Sequence, residues 1–267
     1  MTPEPADSPE LRVAPAQLVF EQPLNERMRT FLRLDFLYNQ ALHHNAGLTQ
    51  WSSRAAVSGL LDIIAIASRG DTRSEVLKEV ERQLALLNEF QARPGVDTSR
   101  LRALVSNLLR MRNELLALGT AYLQPLKESE FLSAIRHRSA IPGGTCDFDL
   151  PDYFHWLNQP ADQRSAAFAH WLETLRPICD AIAEVLWLTR QNGVVKTEIA
   201  RGGVYHITFE RDNPVQLLRI ALEPGTDIYP EISGSHYRSS VRFVRWAAGD
   251  KARQAEGDIS FQLTCCS

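Results

Sequence analysis

Two hydrophobic rhythms divide the chain. Across residues 23–192 apolar side chains recur at steps of three and four, the mark of helices that each bury one face. From Gly193 onward they alternate with polar residues, the mark of strands with one buried face. The first helical stretch, "LNERMRTFLRLDFLYNQALHH", sets Leu24, Met28, Phe31, Leu32, Leu34, Phe36 and Leu37 in helical step and leaves Arg27, Arg29 and Arg33 mostly off that stripe. "WSSRAAVSGLLDIIAIAS" reads as a second helix, opened by Ser52 and Ser53 and closed at Gly70 as its C-terminal cap. "DTRSEVLKEVERQLALLNEF" and "RLRALVSNLLRMRNELLAL" make a third and a fourth, parted by a Pro94–Gly95 break, with Asp97 or Thr98 placed to cap the fourth. Together they predict an antiparallel helical hairpin. Its apolar seam can pack within the chain, the simpler arrangement, or against a second copy as a coiled coil. Further helices are predicted in "ESEFLSAIRHRSA", "PDYFHWLN" and "ADQRSAAFAHWLETLRPICDAIAEVLWLTRQN", the last begun or kinked at Pro177. Trp156, Trp171 and Trp187 read as core anchors, and Pro142, Gly143 and Gly144 forbid a regular element in "IPGGTCDFDLP".

In the second rhythm, "GVYHITFE", "VQLLRIAL", "SVRFVRW" and "DISFQLTC" predict about four strands of an antiparallel sheet. "QLVFEQ", residues 17–22, is a candidate fifth strand from the other end of the chain. The fold class is therefore α+β: an N-terminal helical domain of about seven to nine helices, then a small antiparallel β domain, with the short N-terminal strand joining its sheet. The boundaries read as a disordered extension over 1–15, a strand of the β domain over 16–22, a helical domain over 23–192 and the β domain over 193–267.

Composition narrows the function classes. With 29 Lys and Arg against 32 Asp and Glu, the formal net charge is −3, a poor basis for general binding to nucleic acid or to an anionic membrane. No apolar run is long enough to span a bilayer, and "MTPEPADSPELRVAP" lacks the apolar core of a signal peptide. Cys146, Cys179, Cys265 and Cys266 have no zinc-site spacing and read as reduced thiols of a cytosolic protein. Phosphate-loop, dinucleotide-binding, zinc-protease and nucleophile-elbow motifs are missing, so neither a cofactor nor a metal is expected. His43 and His44 are adjacent and cannot chelate from one helix face. Cys146 with His155 could be drawn as nucleophile and base, but a structural thiol is the simpler reading. Asp147 and Asp149 read as caps of the helix that opens at Pro151. On these grounds the chain is not expected to be an enzyme.

What stands out is arginine in the sheet. Strand parity in "ISGSHYRSSVRFVRW" puts Val241 and Phe243 on one face with Ser239 and Arg245, and Arg238, Ser240 and Arg242 on the other. In "QLLRIAL" Arg219 points away from Leu218, Ile220 and Leu222. A single sheet would then carry Arg219, Arg238 and Arg242 on its polar face, with few acids among its strand residues. Such a face is either a solvated surface or an acceptor for carboxylates, to which the planar guanidinium fork is suited. Nucleic acid is a further option, although the polar face lacks aromatic residues for base stacking.

Six strings carry a family resemblance: "VFEQPLNERMRTFLRLDFL", "RGDTRSEVLKEVERQ", "RPGVDTSRL", "IPGGTCDFDLPDYFHWL", "YPEISGSHYRSSVRF" and "FQLTCC". Through them the chain, from about Val19 to Cys266, resembles the ZapD family of FtsZ-associated bacterial cell-division proteins. The resemblance implies a non-enzymatic, cytoplasmic homodimer acting at the mid-cell division site. It implies binding to the C-terminal tail peptide of FtsZ and cross-linking of FtsZ filaments, with neither nucleic acid nor membrane as partner. By position, Arg238 and Arg242 are the leading candidates for the tail site, followed by Arg69 from "SRGDTR" and Arg33 from "MRTFLR"; Arg219 is added from strand parity. The alternative is a nucleic-acid-binding regulator that uses the same arginine-rich sheet face.

Overall fold

In the computed structural model, residues 17–91, 98–210, 214–235, 237–249 and 251–267 are described. The chain divides into two compact units, one formed by the segment up to Asn25 together with Asn192–Ser267, the other by Glu26–Gln191. The candidate cap Asp97, the Pro94–Gly95 break and the extension over 1–15 lie outside the described residues, as does the side chain of Thr98.

The second unit is helical. Its elements are α1 (Glu26–Asn45), α2 (Gln50–Ala67), α3 (Thr72–Gln91), α4 (Thr98–Ala117), α5 (Gln124–Glu128), α6 (Glu130–Ser139), α7 (Pro151–Leu157), α8 (Ala161–Glu173) and α9 (Arg176–Gln191). α9 runs through the middle of this unit, packing on α1, α3, α4 and α8, and buries Ile178, Ala181, Ile182, Val185 and Leu186. On α1 the buried stripe is Met28, Phe31, Leu34, Tyr38 and Ala41, while Phe36, placed in the predicted stripe, is 67% exposed. α1 and α2 approach closely because Gly59 has no side chain: a Cβ there would stand 3.2 Å from that of Ala41.

Polar groups tie the helices together. The Tyr38 hydroxyl donates to Asp180 across α1 and α9 at 2.9 Å. Glu79 on α3 is fully buried and is held by Arg27 of α1 at 3.0 Å and by Arg82 at 2.6 Å. The α3–α4 hairpin packs within the chain, with Arg73 Nε donating to the Leu115 carbonyl at 2.7 Å and Arg112 paired with Glu81 at 3.1 Å.

Three local expectations are corrected. α2 opens at Gln50 rather than at the serine pair, because Thr49 accepts from the Ser52 N–H at 3.0 Å. It ends at Ala67 with Ser68 as its cap, and Gly70 does not adopt a left-handed conformation. Trp156 and Trp171 pack with Phe131 and Tyr153 in an aromatic cluster, but Trp187 is 37% exposed and anchors no core.

The first unit is built of antiparallel strands: β1 (Leu18–Pro23), β2 (Val194–Ala200), β3 (Val204–Thr208), β4 (Leu217–Leu222), β5 (Ile228–Gly234), β6 (Arg238–Arg245), β7 (Arg253–Gln254) and β8 (Ile259–Cys266). The four predicted strands, with β1 joining as expected, do not share one sheet. One sheet has the order β1-β4-β8-β2, the other β3-β6-β5 with β7 beside β6. The switch comes at Gly202 and Gly203, whose φ of 56° and 75° give a tight left-handed turn open to glycine. A Cβ at Gly203 would also stand 2.3 Å from the Ala255 carbonyl. The two sheets enclose a common core that includes Leu218, Ile220, Val241, Phe243, Phe261 and Leu263, with the Phe243 and Phe261 rings 5.0 Å apart.

Candidate functional site

The five candidate arginines stand in three different surroundings. Arg238 and Arg242 both lie on the outer face of β6, as strand parity predicts, and both are exposed. Register then separates them. Arg242 faces Glu231 on β5 directly, and its Nε donates to that carboxylate at 3.1 Å, with Nη2 closer still. Arg238 faces Thr208 on β3 and has no ion-pair partner among the described residues. It lines a pocket of about 530 Å³ with His206, Thr208, Ser233, Ser235 and Ser240. Among the described residues that lining offers hydroxyl, imidazole and guanidinium groups and no carboxylate, so the pocket is a donor-rich surface for an anion.

Arg219 belongs to the other sheet, so it does not share a face with Arg238 and Arg242. It stands on β4 opposite Glu21 of β1, with Nε donating to the carboxylate at 2.9 Å. Arg245, on the inward parity of β6, turns out at the strand end and pairs with Asp227. Three of the sheet arginines thus carry carboxylates of their own. Cross-strand pairs of opposite charge are ordinary stabilisers of a sheet surface.

In the helical unit Arg33 and Arg69 line one cleft of about 380 Å³, together with Phe31 and Ile66. α1 brings Arg33, and the end of α2 brings Arg69. The acids of this cleft are already engaged. Glu26 pairs with Arg29 at 2.5 Å, and Glu75 with Lys78 at 2.8 Å. Asp71 accepts from the Ser74 hydroxyl at 2.5 Å and from the Ser74 N–H at 3.0 Å, an N-terminal cap of α3. Those bonds hold its carboxyl below the usual range. Arg33 and Arg69, both exposed, have no side-chain partner among the described residues. The cleft therefore combines open guanidinium groups with apolar walls.

Cys146 and His155 each bond to a group other than one another. Cys146 donates to Asp149 at 3.3 Å, and desolvation together with that carboxylate pushes its thiol up, the wrong direction for a nucleophile. His155 is bonded to Gln159 at 2.9 Å rather than to the thiol. Asp147 and Asp149 do not cap α7. The α7 N-cap is Leu150 with no side-chain bond, Asp147 accepts from the Phe148 N–H, and Asp149 pairs with Arg138 at 3.4 Å. Among the described residues no group of three potential metal ligands comes together, and no helix is long and apolar enough to cross a membrane.

What sequence reasoning missed is the acids. Glu21, Glu231 and Asp227 decide which arginines are open. One signal was present: Glu231 and Arg242 stand symmetrically about the hairpin turn in "EISGSHYRSSVR", a spacing that forces them into register.

Fold and surface together define an α+β chain with a helical unit, a two-sheet β unit and open guanidinium groups on each. A family model described as the cell division protein ZapD matches residues 32–242. Similar proteins include cell division protein ZapD of Methylococcus capsulatus, 36% identical over 250 residues, which is 94% of this chain and 98% of that relative. ZapD of Aromatoleum aromaticum is 36% identical over 248 residues, covering 93% and 96% of the two chains. ZapD of Pectobacterium carotovorum is 35% identical over 257 residues, covering 95% and 99%. The chain belongs to the ZapD family of cell division proteins.

Proposed function

We propose that this protein is a non-enzymatic cell-division factor that binds the C-terminal tail of FtsZ and cross-links FtsZ filaments. It acts as a cytoplasmic homodimer at the mid-cell division site. The observation that carries this reading is the pairing state of the arginines. Arg33, Arg69 and Arg238 are exposed and without ion-pair partners among the described residues, while neighbouring acids are engaged elsewhere. Such groups suit a flexible ligand that mixes acidic and apolar residues, because the cleft at Arg33 and Arg69 adds apolar walls to its charge.

A two-fold dimer presents each site twice, so one molecule can hold two filaments. Each tail contact can be weak, since many tails along a polymer raise the effective concentration. Arg242 and Arg219 contribute less than Arg238, because a tail carboxylate must first displace Glu231 or Glu21.

Co-sedimentation tests the reading. FtsZ pellets as bundles with this protein, and FtsZ lacking its C-terminal tail does not; equal pelleting of both sinks the proposal. Arg238→Glu with Arg242→Glu abolishes pelleting while circular dichroism and the oligomeric state are retained. Unchanged pelleting by that variant removes the sheet arginines from the site.

A further inference from the structure

Among the described residues, strand β3 has a free edge, set between two cavities of different character. It ends the sheet β3-β6-β5, and among the described residues β6 is the strand that pairs along it. The Gly203 carbonyl accepts from the Phe243 N–H, and the Phe209 N–H donates to the Tyr237 carbonyl, so the odd-numbered residues turn their peptide groups toward β6. By the two-residue period, the N–H and C=O of His206 and Thr208 point off the sheet. Edges of this kind are commonly blunted by proline, lysine or a bulge. Val204–Thr208 contains neither proline nor lysine.

Alternate side chains beside that edge would enter different surroundings. On the outer face lies the pocket with Arg238, His206 and the hydroxyls of Thr208, Ser233 and Ser240, with no carboxylate among the described residues of its lining. On the inner side lies a cavity of about 560 Å³ whose walls include Val194, Phe209, Val215 and Leu263. Its charged groups are mixed, Lys196 standing with Glu198 and Glu210, and Glu198 accepts from the Tyr205 hydroxyl, so it is the apolar walls that favour an apolar side chain there. One face offers a guanidinium to an acid, and the other offers apolar walls to an apolar side chain.

We propose that the β3 edge docks an extended peptide of alternating acidic and apolar residues, which adds to the sheet as a further strand. Main-chain hydrogen bonds to His206 and Thr208 hold the peptide, and the two cavities read its alternate side chains. The inference rests on the reading of Arg238 as a carboxylate acceptor, and adds to it a backbone geometry and a sequence pattern.

The test uses a fluorescein-labelled octapeptide of alternating Asp and Val, titrated by anisotropy against the full chain. Two further peptides carry N-methyl groups on alternate residues, one set for each edge of the extended peptide. One N-methylated isomer binds at least tenfold more weakly and the other binds as the parent, because one edge faces β3. His206→Pro removes an edge donor without disturbing the β6 ladder, so it lowers affinity by a similar factor while circular dichroism is retained. Equal binding by both isomers overturns the strand mode. So does parental affinity in folded His206→Pro, or protection of the His206 and Thr208 amides from exchange before peptide is added. If Arg238→Glu weakens binding but N-methylation has no effect, the arginine reading stands and the strand proposal falls; if neither matters, both fall.

Discussion

If the proposed tail binding holds, removing a negative charge from the protein should strengthen its grip on an acidic tail, and Glu231 is where the effect is sharpest. Its carboxylate faces Arg242 across the β5–β6 ladder, with the side chains 45% and 54% exposed. Exposed ion pairs of this kind contribute about 0.2–1 kcal/mol. A tail carboxylate that takes Arg242 must displace Glu231 and forfeits that amount. Glu231→Gln removes the competitor, keeps the side-chain shape and leaves one more open guanidinium on the face that already carries Arg238. With tenfold in affinity for about each 1.4 kcal/mol, the gain is roughly 1.4- to 5-fold. The same substitution costs the fold no more than about 1 kcal/mol, since the pair is at the surface. The assay is anisotropy with a labelled FtsZ C-terminal peptide at low and at moderate salt, where the gain shrinks as salt rises. In an Arg242→Ala background the gain disappears, because the two residues act through one contact. Affinity that is unchanged or weaker in folded Glu231→Gln refutes the idea that this carboxylate competes for the site.

Other outcomes follow from the same structure. Glu79 is fully buried between Arg27 and Arg82, whose side chains are about a third exposed; Glu79→Gln lets both arginines rehydrate and costs roughly 1–3 kcal/mol, whereas removing both arginines strands a buried carboxylate and costs about 3–5 kcal/mol, an order that urea melts can check. Gly203→Ala forces a side chain onto a left-handed residue and against the Ala255 carbonyl, lowering stability by at least about 1–2 kcal/mol in the same melts. Asp71, whose carboxyl is held below its usual range by Ser74, contributes stability that is fully present above the ordinary carboxylate range and is lost as pH falls through its lowered value; Asp71→Ala flattens that part of the acid-unfolding curve. Cys146, with its thiol pushed up by desolvation and by Asp149, reacts with iodoacetamide at neutral pH more slowly than a free model thiol.

Much of the fold could be read from periodicity because each element buries one face. The α9 run from Ile178 to Leu188 and the alternation of Leu218, Ile220 and Leu222 both declare their inward sides. What periodicity does not encode is which strand neighbours which. β2 escaped notice because Val194, Val195 and Ile199 sit on an exposed edge strand and break the apolar–polar rule. The division into two sheets turns on the left-handed pair Gly202–Gly203, a local backbone event with no hydrophobic signature. The same gap limited the candidate site. Parity placed Arg238 and Arg242 outward, yet their difference lies in what stands opposite, Thr208 for one and Glu231 for the other. Arg245 is the clearest case: parity turned it inward, and Asp227 at the strand end draws it out.

The pairing state also bears on how a weakly acidic protein meets an acidic ligand. A guanidinium balanced by a carboxylate has little field beyond a Debye length, so Arg219, Arg242 and Arg245 do little steering from a distance. They keep N–H donors that a ligand can recruit once it is close. Arg238 and the Arg33–Arg69 cleft keep their full charge, and on the proposed tail-binding reading they carry the encounter. Charge reversal at Arg238 should therefore slow association and change its salt dependence. Neutralising Arg242 should act mainly on dissociation, after Glu231 has been displaced. Stopped-flow traces with a labelled FtsZ tail peptide separate the two: a slower on-rate for Arg238→Glu and a faster off-rate for Arg242→Ala support this division. If both variants change the on-rate equally, the Glu231 pair does not screen Arg242, and the distinction between open and balanced arginines has no functional meaning.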